Sequence, residues 1–343
     1  MNHKNILHKI QTEDYTFLKT NEHLGKNIIL LGLGGSYAYG MQIDGKSDLD
    51  IRGIALNKKE EILLQNDFLE VVEESTDTTI YSFNKIVDLL SKMNPNTCEI
   101  LGLQDWQYLY LHTIGRELIE NKKMFLSKLC IHTFAGYASS QLRRLECKAA
   151  RLVGQAQNEA YILKSINNAK YDFKNRYYPH DDSDVKLYID TAVQEGYDSE
   201  IFMDVCLKHY PLRDWTGMWN EMKAIVSSYN KIGKRNEKAI SHDKLGKHMA
   251  HLIRLYMMCI DILEKEEIIT YRANEHDLLM SIRNGKYLDE NRQPTTEFYD
   301  LLNEYEKRFD YAKNNTSLPD VPDHKRINEF KMYVNERIVK GEV

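Results

Sequence analysis

The sequence predicts an α+β protein in which a small mixed-sheet domain is followed by a mostly helical domain. Short apolar runs bounded by glycine and polar residues, which are typical of strands, are concentrated between about residues 28 and 83. Beyond them, apolar residues recur every three or four positions, the spacing of helices with one buried face. A chain of 343 residues is long enough for two domains, which we place at residues 1–125 and 126–343.

Composition and charge are those of an ordinary soluble protein. Hydrophobic residues make up 42% of the chain, charged residues 28%, and the net charge is −5, so contact with nucleic acid would depend on local basic patches. The five cysteines are scattered and include no Cys-x-x-Cys pair, which favours reduced thiols in a cytosol. Because no segment approaches the roughly 18 apolar residues of a membrane span, we expect a cytoplasmic protein that does not act at a membrane.

The first predicted strand covers residues 28–33 and ends at Gly34-Gly35-Ser36. Two glycines allow the main chain to turn tightly and bring its N–H groups close to a ligand. A helix that opens at Ser36 would direct amide groups and a hydroxyl toward an anion. Gly35 and Ser36 are therefore predicted to bind phosphate.

Two aspartates follow twelve residues after this serine. Asp48 and Asp50 alternate with Leu49 and Ile51, and in a strand this alternation places both carboxylates on one face. Neighbouring carboxylates repel each other unless a divalent cation lies between them, and hard oxygen ligands favour Mg²⁺ or Mn²⁺. Together, a phosphate-binding bend and a metal-binding carboxylate pair predict chemistry on a nucleoside triphosphate.

The same residues allow other interpretations. Gly40-x-x-x-x-Gly45-Lys46-Ser47 satisfies the P-loop pattern of an ATPase, but a P-loop follows a strand directly and opens a helix, whereas residues 49–56 have the pattern of a strand. A dinucleotide-binding motif would need glycine or alanine at the position of Tyr37. A solvated hairpin with aspartates in its turns is the remaining alternative.

These motifs resemble the signature of the DNA polymerase β-type nucleotidyltransferase superfamily, in which Gly-Ser is followed some ten residues later by Asp-x-Asp. A bacterial and phage branch linked in part to RNA repair is the most similar group, on the segments GSYAYG, SDLDIRG, NPNTCEIL, FAGYASSQL and KHMAHLIRL. The core of the resemblance covers residues 28–82, and weaker similarity extends to about residue 290. It implies transfer of a nucleoside monophosphate from an NTP, such as ATP, to an acceptor hydroxyl, with release of pyrophosphate.

The resemblance also implies roles for individual residues. Gly35 and Ser36 would bind the β and γ phosphates, and Asp48 and Asp50 would ligate two Mg²⁺ or Mn²⁺ ions. Members of the superfamily use a third carboxylate from a later strand, and Asp77 is the residue expected in that position. There it would complete the site of the metal ion that activates the acceptor oxygen, and it would accept the proton of the attacking hydroxyl.

Asp77 precedes the second strand of a pair predicted at residues 68–74 and 78–83, where an aspartate is also a common turn residue. The other carboxylates considered for this role are Glu73, Glu74 and Asp88.

The helical part of the chain offers further candidates for the site. On the helix predicted over residues 245–264, Lys247, His251 and Arg254 form a row separate from the buried stripe. The row is expected to approach the triphosphate or the acceptor, and an ordinary solvated helix face is the alternative. Glu99 belongs to a further segment of the resemblance, in which Asn94-Pro95-Asn96 ends one helix and caps the next.

A basic stretch interleaved with aromatic residues predicts contact with RNA. Cations suit phosphates and flat rings suit unpaired bases, although solvated helix faces and core rings give the same pattern. The basic residues of this predicted RNA-binding surface are Arg144, Lys148, Arg151, Lys174 and Arg176. The acceptor could then be tRNA or an RNA end under repair, with a protein hydroxyl or a small molecule as the alternatives. A catalytically silent member of the same fold that binds RNA or protein remains the second functional hypothesis.

Overall fold

A computed structural model describes residues 3–151, 184–191, 193, 199–206, 211–213, 215–217, 219–220, 223, 245–290 and 292–343. The chain divides into two compact units. Unit 1 comprises Met1–Ala138, Ala250–Ser281 and Asp300–Val343, and unit 2 comprises Ser139–Met249 and Ile282–Tyr299. Unit 1 thus takes residues from both sides of position 126, and the domain boundary placed there stays a prediction.

The N-terminal third of the chain alternates short strands and helices. In chain order these are α1 (His3–Lys9), α2 (Phe17–Thr20), β1 (Ile28–Leu33), α3 (Gly35–Tyr39), β2 (Ile51–Ala55), α4 (Lys59–Leu64), β3 (Glu70–Glu73), β4 (Thr78–Ser82), α5 (Phe83–Ser91), α6 (Pro95–Cys98), β5 (Tyr108–Leu111) and α7 (Thr113–Glu120).

Helices dominate the rest of the described chain. The elements are α8 (Leu129–Arg151), β6 (Asp184–Thr191), β7 (Ser199–Cys206), α9 (Leu245–Lys265), α10 (His276–Arg283), α11 (Thr296–Asn315) and α12 (His324–Lys340). A mixed sheet followed by a mostly helical remainder confirms the predicted α+β class. Among the helices described, none is both long and apolar enough to cross a bilayer.

The five strands of the N-terminal sheet lie in the order β3-β4-β2-β1-β5. β2 and β4 run parallel, whereas the other neighbouring strands are antiparallel. Ile51, the first residue of β2, lies opposite Leu33 at the end of β1 and opposite Thr78 at the start of β4. The segments that follow β1 and precede β2 and β4 therefore meet at one edge of the sheet.

The core of this region lies on both faces of the sheet. All six residues of β1 are buried, as expected for the central apolar run from which the strand was predicted. α7 packs on β1, and α5 packs on β2 and β4. α5 begins where Oγ of Ser82 accepts a hydrogen bond from the backbone N–H of Lys85 at 3.2 Å, an ordinary N-cap. α12 covers α5, and the rings of Phe83 and Phe330 lie 6.0 Å apart.

Some elements differ from the sequence-based predictions. The apolar spacing at the N-terminus predicts one helix over residues 3–24, but Thr12 is extended (ψ 172°) and the helix is interrupted between α1 and α2. The charged and polar residues at positions 57–66 predict a loop. These positions instead contain α4, because the Glu61 carboxylate accepts a hydrogen bond from the backbone N–H of Lys58 at 2.9 Å and caps a helix there. The sequence does not predict strand β5. Apolar spacing predicts one long helix, or two end to end, over residues 129–168, of which residues 152–168 lie outside the described residues.

The buried Phe83 ring predicts a measurable effect on stability. Phe83→Ala removes a fully buried ring from the junction of α5 and α12 and is expected to lower the free energy of unfolding by about 3–5 kcal/mol. The measurement is equilibrium unfolding in urea. Met332→Ala serves as the control, because Met332 lies on α12 but is 68% exposed, and its loss should change the free energy by no more than about 0.5 kcal/mol. Equal losses in the two variants would contradict this packing.

Candidate active site

The bend after β1 is held directly against Asp50. The backbone N–H of Gly34 donates to the carbonyl of Asp50 at 2.8 Å, and α3 begins at the next residue. Gly35 has φ +51°, and a β-carbon at this position would overlap Oδ2 of Asp50. The carboxylate of Asp50 therefore occupies the space beside Gly35 that any other residue type would fill.

Asp48 and Asp50 lie just before β2, whose first residue is Ile51, and not within a strand as predicted. Their burial nevertheless alternates in the expected way. Leu49 and Ile51 are buried, whereas Asp48 is exposed and Asp50 is half-buried. The two aspartates have different immediate surroundings, because Asp48 lines an open cleft of about 460 Å³ while Asp50 lies against Gly35.

Asp77 reaches the same edge of the sheet through the parallel pairing of β2 and β4. Its carbonyl accepts hydrogen bonds from the backbone N–H of Ile51 at 3.2 Å and from Nη1 of Arg52 at 2.9 Å. Nη2 of Arg52 lies 3.6 Å from Oδ1 of Asp77. Asp77 adopts a left-handed conformation (φ 47°, ψ 44°), which aspartate tolerates better than most residues. The residue thus serves as a turn residue and also lines the cleft with Asp48.

The cleft is strongly acidic. Its charged lining residues are Asp14, Asp48, Glu74, Asp77 and Lys9. The buried rings of Tyr15 and Tyr37 also line it. Burial raises the pKa of both tyrosines, and nearby carboxylates raise it further, Asp14 and Asp50 for Tyr15 and Asp44 for Tyr37. Both hydroxyls therefore stay protonated at neutral pH. Glu74 lines the cleft, whereas Asp88 is paired with Lys331 on α12 at 2.9 Å.

The carboxylates fit a divalent cation by their chemistry but do not form a complete cage. Within the part of the chain that the structure describes, no group of three or more His, Cys, Asp or Glu side chains is arranged to hold a metal ion. Mg²⁺ in phosphate-transfer sites is usually bound by one or two carboxylates together with phosphate oxygens and water. Asp48 and Asp50 supply such oxygen donors beside a bend suited to phosphate.

The P-loop interpretation is not supported by the local structure. The backbone N–H groups of Lys46 and Ser47 both donate to the carbonyl of Ile43, and Oγ of Ser47 accepts from the N–H of Ile43 at 2.9 Å. These bonds close a turn. No helix begins at Ser47, and the described chain continues into β2.

On α9, Arg254 is buried among protein groups. Its side chain is 2% exposed, with Nη1 3.2 Å from Oε1 of Glu99 and the guanidinium carbon 3.4 Å from the ring centre of Tyr39. Nη2 lies 2.7 Å from Nδ1 of His251. Burial raises the pKa of Tyr39 well above its ordinary value, so its hydroxyl is protonated. These contacts give Arg254 a structural role, and the nucleotide contact expected of it from the sequence stays a prediction.

The other predicted site residues are distributed as follows. His251 is half-buried beside Arg254 in unit 1, whereas Lys247 is exposed and belongs to unit 2. Arg144, Lys148 and Arg151 lie on α8, but their side chains are outside the described part of the structure, as are residues Lys174 and Arg176 altogether. Contact with RNA therefore stays a prediction.

Sequence reasoning overlooked the contacts of three residues at or near this site. Arg52, which bonds to Asp77, stands inside the SDLDIRG segment that was noted for its aspartates alone. Tyr39 and Glu99 lie in GSYAYG and NPNTCEIL, and they contact Arg254 of KHMAHLIRL. The family resemblance was the signal that could have found these contacts. Three of the segments on which it is based, GSYAYG, NPNTCEIL and KHMAHLIRL, meet in the structure around the buried guanidinium of Arg254.

Comparison with known proteins agrees with this geometry. Residues 7–166 match the sequence model of RlaP, the RNA repair pathway DNA polymerase beta family. No curated protein and no solved structure matches the chain. The bend, Asp48, Asp50 and Asp77 all lie inside the matched region. The predicted resemblance to DNA polymerase β-type nucleotidyltransferases linked to RNA repair is thereby confirmed over residues 7–166.

Proposed function

We propose that the protein is a metal-dependent nucleotidyltransferase that moves a nucleoside monophosphate from an NTP to an acceptor hydroxyl and releases pyrophosphate. The observation that supports this most is the meeting of the Gly34–Ser36 bend, the Asp48–Asp50 segment and Asp77 at one sheet edge. These three segments come from separate parts of a region that matches the RNA repair pathway DNA polymerase beta family.

The bend would bind the triphosphate. The amide groups of Gly35 and Ser36, with the Ser36 hydroxyl, are suited to the β and γ phosphates, because main-chain N–H groups are compact donors that can approach an anion closely. Asp50 lies against this bend, so phosphate oxygens held there would come near its carboxylate.

Asp48 and Asp50 would hold two Mg²⁺ or Mn²⁺ ions, with Asp77 completing the first site. When bound, the ions would neutralise phosphate charge and make the acceptor hydroxyl more acidic. In the reaction the acceptor oxygen forms a bond to the α-phosphorus while the bond to the β-phosphate bridging oxygen breaks. Asp77 would take the proton of the acceptor hydroxyl, and pyrophosphate leaves. Arg52, paired with Asp77, would offset part of the negative charge at this edge.

The acceptor proposed is an RNA end, and the name of the matched family supports this choice. The second hypothesis is a catalytically silent protein of the same fold that binds RNA or a protein. All three carboxylates are present here, which disfavours loss of activity.

The two hypotheses predict different outcomes when the protein is incubated with each α-labelled NTP, Mg²⁺ or Mn²⁺ and total cellular RNA. A transferase labels an acceptor, and we expect labelled RNA that disappears with EDTA. NTP binding without labelling of any macromolecule would favour the silent protein, and labelling of protein instead of RNA would correct the acceptor.

The carboxylate pair predicts loss of turnover without loss of fold. Asp48→Asn and Asp50→Asn are each expected to lower transfer at least 100-fold, since an amide replaces a charged metal ligand while the shape is kept. The rate of α-label transfer and the thermal melting temperature are the two measurements. Asp88→Asn, which alters an exposed carboxylate on α5, should leave the rate unchanged. Wild-type rates in either site variant would exclude this mechanism.

A substitution at Gly35 tests whether transfer needs the space that the Asp50 carboxylate occupies, separately from the backbone strain that a side chain causes at positive φ. Gly35→Ala forces a β-carbon onto the Asp50 carboxylate and should lower transfer at least tenfold. Gly45→Ala is the matched control, since Gly45 also has positive φ (+74°) but a β-carbon there meets nothing within 4 Å. Both variants should lose about 1 kcal/mol of stability through the backbone conformation. Equal transfer rates in the two variants, with stability measured in parallel, would contradict the role given to Gly35.

A further inference from the structure

We infer that Tyr39, Glu99, His251 and Arg254, here called the Tyr39 cluster, position the phosphate-binding bend from its far side. This rests on the proposed function and extends it to residues that would not touch the nucleotide. Tyr39 is the last residue of α3, whose first residue is Gly35. A group that fixes the end of so short a helix also fixes its start.

Arg254 is the buried centre of the cluster. Its guanidinium lies 3.4 Å above the Tyr39 ring, a cation–π arrangement, and pairs with the Glu99 carboxylate at 3.2 Å. A buried cation is costly unless it is paired, so the position of Arg254 constrains both partners. The Tyr39 ring and the Glu99 carboxylate thus contact the same guanidinium from two directions.

His251 completes the surroundings of the guanidinium. Arg254 has only donor groups, so Nδ1 of His251 must accept the 2.7 Å hydrogen bond from Nη2. One end of the guanidinium is directed to Glu99 and the other to His251, which leaves its flat face for Tyr39.

Glu99 is itself anchored by the chain that follows α9. Its carbonyl accepts a hydrogen bond from Oγ1 of Thr270 at 2.8 Å. In the same segment the backbone N–H of Arg272 donates to the carbonyl of Tyr39 at 3.2 Å. Gly40 lies so close to the Tyr271 ring that a β-carbon there would be 2.5 Å from Cε2. The end of α3 is thus held by side-chain and main-chain contacts from residues 254–272.

The contacts at the end of α3 also affect the residues at its start. Gly35 packs on the Asp50 carboxylate, and Gly34 bonds to the Asp50 carbonyl. A displacement of Tyr39 would shift the amides of Gly35 and Ser36 and would alter the space available to Asp50. Phosphate affinity should therefore depend on residues on the opposite side of α3.

A matched pair of tyrosine substitutions separates positioning from general stability. Tyr39→Leu removes the ring that contacts the Arg254 guanidinium, and Tyr256→Leu removes a ring on α9 itself that packs against Phe309 at 5.9 Å. Glu99→Gln is a second variant, which keeps the side-chain shape and discharges the partner of Arg254. The readouts are hydrogen exchange of the peptide covering residues 34–41 and calorimetric binding of Mg²⁺-tripolyphosphate, a probe that is independent of the base.

Tyr39→Leu and Glu99→Gln are expected to speed exchange across residues 34–41 and to weaken tripolyphosphate binding about tenfold, the effect of losing a cation–π contact or a charged partner of the buried guanidinium. Tyr256→Leu should change neither. Unchanged exchange in both variants, or faster exchange with wild-type affinity, would overturn this inference but not the proposed function. If the wild-type protein does not bind tripolyphosphate, the proposal that this bend binds phosphate is itself wrong, and the inference about the Tyr39 cluster has no basis.

Discussion

The parallel pairing of β2 with β4, beside the antiparallel pairing of β2 with β1, is the constraint on which the candidate site depends. Ile51 lies opposite both Leu33 and Thr78. The residues next to these three positions are therefore neighbours, although they are separated in sequence. A slip of one residue in either pairing would reverse the faces on which side chains lie and separate Asp50 from Gly35 and Asp77. The relative positions of these site residues therefore depend on the strand register more than on any single side chain.

The same edge concentrates negative charge. Within the described part of the chain, four carboxylates line the cleft together with one cation, Lys9. Like charges at short distance oppose the compact state, and a cation relieves that repulsion. Arg52 offers partial compensation at Asp77, and its side chain is 30% exposed.

Local patterns in the sequence were sufficient for much of the fold. β1 has the predicted bounds because a run of five apolar residues interrupted only by Gly32 is followed by two glycines, and β3 pairs with β4 as expected from their spacing. The interruption at Thr12 and the helix capped by Glu61 were missed because each depends on a single residue, the first on the extended backbone of Thr12 and the second on the hydrogen bond of Glu61. Strand β5 is a run of four residues, too short for periodicity to distinguish from a loop.

The site was only partly accessible to sequence reasoning, for a different physical reason. Helical spacing separates Arg254 from the main buried stripe, but it cannot reveal that a carboxylate 155 positions away covers that face. The role of Glu99 likewise cannot be predicted from local sequence patterns.

The contact between Arg254 and Glu99 also affects how the protein can be divided into fragments. A fragment cut at residue 166, where the family match ends, would keep Tyr39 and Glu99 but lose their guanidinium partner. The boundaries of sequence similarity are therefore not the boundaries of a self-sufficient folding unit.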